Sequence, residues 1–249
     1  MTKLLTWLHA LHAEILRLKR TLALRLIFIA PLPVVLLAGF VVWEKSAENP
    51  AVDLWDTLIK ISLGAWSLFM LPLLIALITA LLNSLDHNDK IWKHLFALPV
   101  PRSVVYLTRL FVSHLLLAVS TIVLVALILG AGMILMRGRT VLANAGAPPV
   151  GLLFKNTAQI WLSAGLIIAV HHWISIRWAA FTVSLGAGIA GTFFALFASG
   201  VSVGRYFPWL LPANVLSPEV AALSLWLGIG GGLAVALLGC ATFVRRDVG

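Results

Sequence analysis

Histidine and carboxylate side chains, which serve as metal ligands and as catalytic acids and bases, come close together in the sequence at two places. The first is a polar stretch that contains Asp86, His87, Asp89 and His94. The second is the adjacent pair His171 and His172, whose rings would point about 100° apart on a helix and could not share one ion. We therefore predict neither a metal site nor a catalytic residue in this chain.

The elements that carry these residues are far more apolar than those of a water-soluble domain. Of the 249 residues, 61% are hydrophobic and 11% are charged, and the mean hydropathy is +1.03. A soluble chain has about a quarter of its residues charged. The net charge of +9 does not indicate nucleic-acid binding, because the basic residues flank apolar runs instead of forming one basic, aromatic-rich face. The composition predicts an all-α, polytopic membrane protein with one domain, residues 1–249.

Six uncharged segments are each long enough to cross a hydrocarbon core of about 30 Å. They are residues 26–43, 61–85, 110–136, 156–176, 178–203 and 220–244. An even number of spans with both termini in the cytoplasm agrees best with the positive-inside rule. This arrangement leaves only six basic residues outside: Lys45, Lys60, Arg137, Arg139, Lys155 and Arg205.

The first 21 residues have the pattern of an amphipathic helix. Apolar residues recur every three or four positions, at Leu4, Leu8, Leu11, Ile15 and Leu18. We expect this helix to lie on the cytoplasmic leaflet, in contact with lipid. The alternative, an extension of the first span, would draw Arg17 and Arg20 toward lipid at a cost of about 2.5 kcal/mol or more each near the membrane centre.

Residues 86–102 predict a short cytoplasmic helix, from about Asn88 to Leu98, that ends at Pro99. One side of this helix carries a bulky apolar ridge that consists of Ile91, Trp92, Leu95 and Phe96. Buried aromatic residues of this kind supply much of the binding energy of protein interfaces. Two interpretations stay open from the residues alone: a helix that docks into a partner, and a loop that lies at the lipid surface.

This segment resembles the cytoplasmic loop of bacterial ABC type-2 exporter permeases, particularly the bacitracin-resistance and lantibiotic-immunity branch. An acidic residue, a Trp-Lys pair at 92–93, a Leu-Pro-x-x-Arg-like stretch at 98–102 and a basic residue entering the next span, Arg109, occur in the same order. A basic "elbow" helix before the first span and a Phe-x-Arg-Arg-Asp ending at 243–247 agree with that family.

The resemblance implies that two six-span permeases pair, as identical or related chains, above two separate ATPase subunits. It implies ATPase docking by Asp86, Asp89, Ile91, Trp92, Lys93, Leu95, Phe96 and Arg102, and a second cytoplasmic contact at a short turn formed by His171, His172 and Arg177. ATP and Mg would bind the partner, because this chain has no Gly-x-x-x-x-Gly-Lys-Ser/Thr loop. The expected location is the bacterial inner membrane, and the expected cargo is a peptide antibiotic or a lipid-like molecule.

Small residues at helical spacing predict close helix packing in the last two spans. They are Ala187, Gly191, Ala195, Gly228 and Gly232. Either a sliding dimer or conduit face, or static packing within one subunit, would explain them. The proline-rich residues 205–219 are expected to form a re-entrant outer element, as the family has at this place. Tyr206 and Trp209 would equally suit an aromatic anchor at the interface.

Two other functions remain possible from the sequence. The chain could be a membrane anchor or assembly subunit that holds a partner through Trp92 without moving solute. It could also be an ion-coupled carrier that acts alone, although such a carrier should have charged residues near the middle of its spans.

Overall fold

The part of the chain that the structure describes consists of six long helices and a shorter N-terminal helix, joined by loops and short helical turns. The computed structural model describes residues 3–19, 21–49, 51–88, 101–142, 145–178 and 180–245. This part of the chain contains no β-strand, and six of its helices are long and apolar enough to cross a membrane. The prediction of an all-α protein with six spans is confirmed.

The N-terminal helix, α1, is Lys3–Leu18. The spans follow in chain order as α2 (Leu22–Glu48), α3 (Leu54–Asn83), α4 (Arg102–Gly138), α5 (Val150–Arg177), α6 (Phe181–Ala198) and α7 (Pro218–Val244). Helical backbone continues beyond α3 as far as Asn88. Most spans are longer than the uncharged segments of the sequence, because the helices continue through polar residues at their ends. The exception is α6, which ends five residues before the predicted boundary at 203.

Local side-chain chemistry sets several helix boundaries. The Thr21 hydroxyl donates to the carbonyl of Leu18 at 2.8 Å and accepts from the amide of Leu24 at 3.5 Å, so it ends α1 and caps α2. Asp53 caps α3 in the same way by accepting from the amide of Asp56 at 2.9 Å. Pro101, which has no amide hydrogen to donate, directly precedes α4.

Glycines allow the spans to pack closely within the chain. A Cβ added at Gly188 of α6 would overlap the side chain of Ala76 in α3. Added Cβ atoms at Gly228 and Gly232 of α7 would overlap the backbone of Ser163 and Gly165 in α5. Close approach of this kind is how membrane helices gain van der Waals contact in the absence of a hydrophobic driving force.

The five predicted packing residues do not all have equal roles. Gly191, Gly228 and Gly232 make close contacts within this chain, and Ala195 is fully buried. Ala187 is only half-buried, and its neighbour Gly188 makes the contact with α3. These contacts favour packing within one subunit over a sliding face at Gly228 and Gly232.

Residues between α6 and α7 fold into three short helical turns, Ser202–Tyr206, Pro208–Leu210 and Leu211–Asn214, here called the outer element. It is more than a surface loop, because Leu210, Leu211 and Val215 are buried. The Trp209 ring lies against Gly191, about halfway along α6. Trp209 therefore points into the helix bundle and is not an interface anchor, whereas Tyr206 is largely exposed as an anchor would be.

Two spans contain a π-helical turn, Trp66–Met70 in α3 and Leu227–Gly231 in α7. Such turns widen the helix locally and often coincide with functional positions. In α7 the turn contains Gly228, where the backbone of Ser163 approaches. In α3 it packs against the Pro208–Leu210 and Leu211–Asn214 turns of the outer element.

The contact between α3 and α6 provides a matched test of packing. Gly188→Ala should lower the free energy of unfolding by about 1–3 kcal/mol, because the added methyl group overlaps Ala76. Gly186→Ala is the control, since an added Cβ there meets no atom within 4 Å. The measurement is thermal unfolding of both purified variants in detergent. Equal stability of the two variants would show that α3 and α6 do not pack as described.

Candidate functional site

The first two turns of α4 directly follow the predicted docking segment and form the candidate functional site. Arg102, Tyr106 and Arg109 are spaced four and three residues apart, so they share one face of the helix. Together the three side chains contact α1, α5 and α7. Residues 89–100 join the helical backbone that ends at Asn88 to the start of α4, so a force applied to them would act both on α3 and on these side chains.

Arg109 joins α4 to the N-terminal helix. Its guanidinium Nε lies 3.0 Å from the carboxylate Oε1 of Glu14, and the Arg109 side chain is only 2% exposed. The Glu14 side chain is 15% exposed and also accepts from Arg17, at 3.4 Å. A charge buried next to lipid is costly unless it is paired. The ion pair therefore fixes the position of α1 on α4.

An aromatic contact supports the same joint. The rings of Trp7 and Phe111 meet edge to face, with centroids 5.5 Å apart. Aromatic pairs in this arrangement add about 0.5–1.5 kcal/mol beyond the area that they bury. The predicted interfacial helix is thus present as a helix, and it packs on the third span in addition to any lipid contact.

Tyr106 joins α4 to α5 and α7. Its side chain is fully buried, and its ring lies edge to face against His172 at 4.7 Å and tilted against Phe243 at 5.7 Å. The His172 Nε2 atom lies 3.2 Å from the carbonyl oxygen of Tyr106, so His172 must carry its proton on Nε2 to donate. Gly239 leaves the space for the Tyr106 hydroxyl, because a Cβ at Gly239 would overlap it.

Arg102 reaches the end of the last span. Its Nη1 atom donates to the carbonyl oxygen of Val244 at 3.3 Å, across 142 residues of sequence. A cation at this position satisfies a carbonyl at the C-terminus of α7 and suits the negative end of the helix dipole. Arg102 is the one predicted docking residue whose side chain the structure describes.

The other docking residues cannot be placed in the same way. Residues 89–100, which include Asp89, Ile91, Trp92, Lys93, Leu95 and Phe96, lie outside the described residues. Asp86 lies in the helical backbone that continues from α3 to Asn88. The docking role of this segment stays a prediction.

The prediction of a cytoplasmic turn at His171 and His172 is wrong. Both residues lie within α5, which continues to Arg177, and both side chains are fully buried. The histidine rings lie inside the bundle: His172 meets Tyr106 of α4, and His171 lies edge to face against Trp209 of the outer element at 5.5 Å. Of the three predicted residues, only Arg177 lies at an exposed position from which it could contact a partner.

A Gly-x-Ser-x-Gly pattern occurs at residues 200–204 but does not form a nucleophile site. That motif requires a sharp turn between a strand and a helix, whereas Ser202 begins a short helical turn after α6. The Ser202 carbonyl accepts a hydrogen bond from Arg205 at 2.9 Å. No group of three His, Cys, Asp or Glu side chains comes together to hold a metal in the part of the chain that the structure describes.

The comparison with protein families agrees with the architecture. The family described as "ABC-2 family transporter protein" matches residues 10–197, which is well over half of the chain. The chain belongs to the ABC-2 transporter family. No curated protein and no solved structure matches it significantly. Membership makes this chain the membrane subunit of an ABC transporter and implies a system that includes an ATPase.

The pair of Glu14 and Arg109 was not predicted from the sequence. A signal was present, since Glu14 is the one acidic residue among the basic residues of 1–25, and Arg109 directly precedes the third uncharged segment. The pairing itself joins residues 95 positions apart, which only the packing of α1 on α4 reveals. Tyr106 and Gly239 were missed for the same reason.

A double-mutant cycle tests the ion pair. Glu14→Gln should lower the free energy of unfolding by about 1.5–3 kcal/mol, because the buried Arg109 keeps an acceptor but loses its charged partner. The effects of Glu14→Gln and Arg109→Gln should be non-additive in the double variant. Glu48→Gln, at the exposed end of α2, is the control and should change stability little. Strict additivity of the two changes in thermal unfolding would show that the residues do not interact.

Proposed function

We propose that this chain is the permease subunit of an ATP-driven exporter, with a separate ATPase docked on residues 86–102. The observation that supports this proposal most strongly is the position of the candidate site. The first two turns of α4 follow the docking segment and contact α1, α5 and α7 through Arg109, Tyr106 and Arg102. ATP and Mg would bind the ATPase subunit.

These contacts suggest how ATP binding moves the spans. Closure of an ATPase pair would push the docking segment, and the push would pass into the start of α4. Because Glu14, His172 and Val244 each contact that start, α1 and the inner ends of α5 and α7 would move with it. Packed helices switch between discrete arrangements more readily than they deform. The permease would thereby alternate between inward-facing and outward-facing states.

A lateral groove suits a cargo that is taken from the membrane. It encloses about 180 Å³ between α4, α5 and α7. Its walls are apolar or glycine residues, except at the ring of His114 and the indole of Trp161. The Nδ1 atom of His114 lies 3.0 Å from the Leu110 carbonyl, which leaves Nε2 as an acceptor. Such a groove favours a hydrophobic or amphipathic cargo with one donor group, such as a peptide antibiotic or a lipid-like molecule.

The resemblance to bacitracin-resistance and lantibiotic-immunity permeases supports export and the bacterial inner membrane as the location. We place both termini in the cytoplasm, because this arrangement puts most basic residues inside. The working unit would be two permeases, identical or related, with two ATPase subunits.

An ion-coupled carrier that acts alone is disfavoured by the placement of charge. Among the described residues, Arg109 is the buried residue with a permanent charge, and it lies near the start of α4. A carrier driven by ions should have charged side chains near the membrane midplane. A non-transporting anchor would use the same docking segment as an exporter. The two hypotheses differ in one expectation: only for an exporter should cargo stimulate ATP hydrolysis.

Affinity purification in mild detergent tests the partner and its docking residues together. The tagged chain should bring down an ATPase subunit whose hydrolysis responds to cargo. Trp92→Ala or Phe96→Ala should reduce recovery of the ATPase at least tenfold, because each removes about 2 kcal/mol of interface energy or more. Trp226→Ala is the control, since Trp226 is 77% exposed on the far part of α7.

The controls separate loss of docking from loss of folding. Both docking variants should elute from size-exclusion chromatography like the original chain. Recovery of a normal amount of ATPase with both variants would contradict the docking role of Trp92 and Phe96. A chain that copurifies with no ATPase would contradict the exporter itself.

A further inference from the structure

A surface cavity lies where α5 and α7 end, at the same end of the bundle as the candidate site. It encloses about 320 Å³. The residues that line it are Trp173, Ile176, Arg177, Gly239, Thr242 and Phe243. A cavity of this size accommodates a small polar group, and it lies between two spans that also border lipid.

Basic residues lie at and beside the rim of this cavity. Arg177 lies in the last turn of α5, and it has no ion pair with any residue that the structure describes. Arg245 does not line the cavity. It is the first residue after α7, three residues beyond the lining residue Thr242, and it is exposed. Two helix C-termini would by themselves repel an anion, but Arg102 satisfies the carbonyl of Val244 in α7. The rim therefore attracts a negatively charged group.

The walls combine polar and aromatic groups in the manner of a membrane interface. The indole Nε1 of Trp173 donates to the hydroxyl of Thr242 at 3.4 Å, and the rings of Trp173 and Trp178 meet edge to face at 5.9 Å. Trp178 is 45% exposed. Tryptophan at this kind of position marks the level of lipid headgroups. Gly239 keeps the cavity open, because a Cβ there would crowd Trp173.

The neighbouring surface toward the membrane centre is apolar. Leu238 lies one helical turn before Thr242, on the same side of α7, and is 67% exposed. A ligand with a charged head at Arg177 could therefore lay an alkyl chain along α7. A soluble anion would use the rim alone and would gain nothing from Leu238.

We propose that this cavity binds the headgroup of an anionic phospholipid, with the phosphate at Arg177 and Arg245 and the acyl chains along Leu238. Basic pockets between membrane helices are suited to such headgroups. The site requires only that the chain lies in a bilayer, so it stands or falls separately from the proposed transport function. A bound lipid would bridge the ends of α5 and α7 beside the contacts of Tyr106 with both helices.

Native mass spectrometry of the purified chain with added phosphatidylglycerol or phosphatidylcholine tests the site. We expect tighter binding of phosphatidylglycerol, and about a fivefold loss of that preference in Arg177→Gln, since one basic residue near the surface contributes about this factor. Arg137→Gln is the matched control, because Arg137 is the exposed basic residue in the last turn of α4. It should keep the preference unchanged.

Four outcomes would overturn the proposal. One is equal binding of the two lipids by the original chain. Another is an equal loss in Arg177→Gln and Arg137→Gln, which would indicate a general effect of surface charge. The third is full displacement of phosphatidylglycerol by millimolar inorganic phosphate, which would identify a site for a free anion. If Arg177→Gln keeps its lipid preference but loses the ATPase, Arg177 contacts the partner and the lipid site is wrong.

Discussion

Arg109 carries a permanent charge into a buried position close to the start of a membrane span, and that charge needs a partner within reach. The partner is Glu14 of α1, at 3.0 Å. This requirement determines where the N-terminal helix lies. The ion pair also holds the first two turns of α4, from which Tyr106 and Arg102 contact α5 and α7. The architecture around the proposed docking segment follows from this one pair.

Packing by small residues complements this polar joint. Glycines bring α6 onto α3 and α7 onto α5, where membrane helices have no hydrophobic force to hold them together. The outer element closes the other end of the bundle, because Trp209 reaches Gly191 and His171 in its interior. The ion pair and the Arg102 hydrogen bond thus lie at one end of the bundle, here called the polar end. Close packing adds contacts along the helices and at the outer element. A force applied at the polar end acts on an already connected set of helices.

Hydropathy and charge were sufficient to predict the six spans and the N-terminal helix, because these properties depend on short stretches of sequence. Contacts between distant stretches were not predictable in this way. His171 and His172 illustrate the limit: adjacent polar residues near Arg177 suggested a turn, but burial against Tyr106 and Trp209 keeps them in a helix. In α6 the regular spacing of Ala187 and Gly191 was visible, but it does not show that Gly188 faces α3.

Hydrogen exchange of the chain in complex with its ATPase tests most directly whether force passes through the start of α4. The measurement compares amide protection without nucleotide and with ATP trapped. We expect residues 102–109 and residues 8–17 to change protection together, because Arg109 and Glu14 join them. A change confined to residues 86–100, with none in α4 or α1, would contradict transmission through this site.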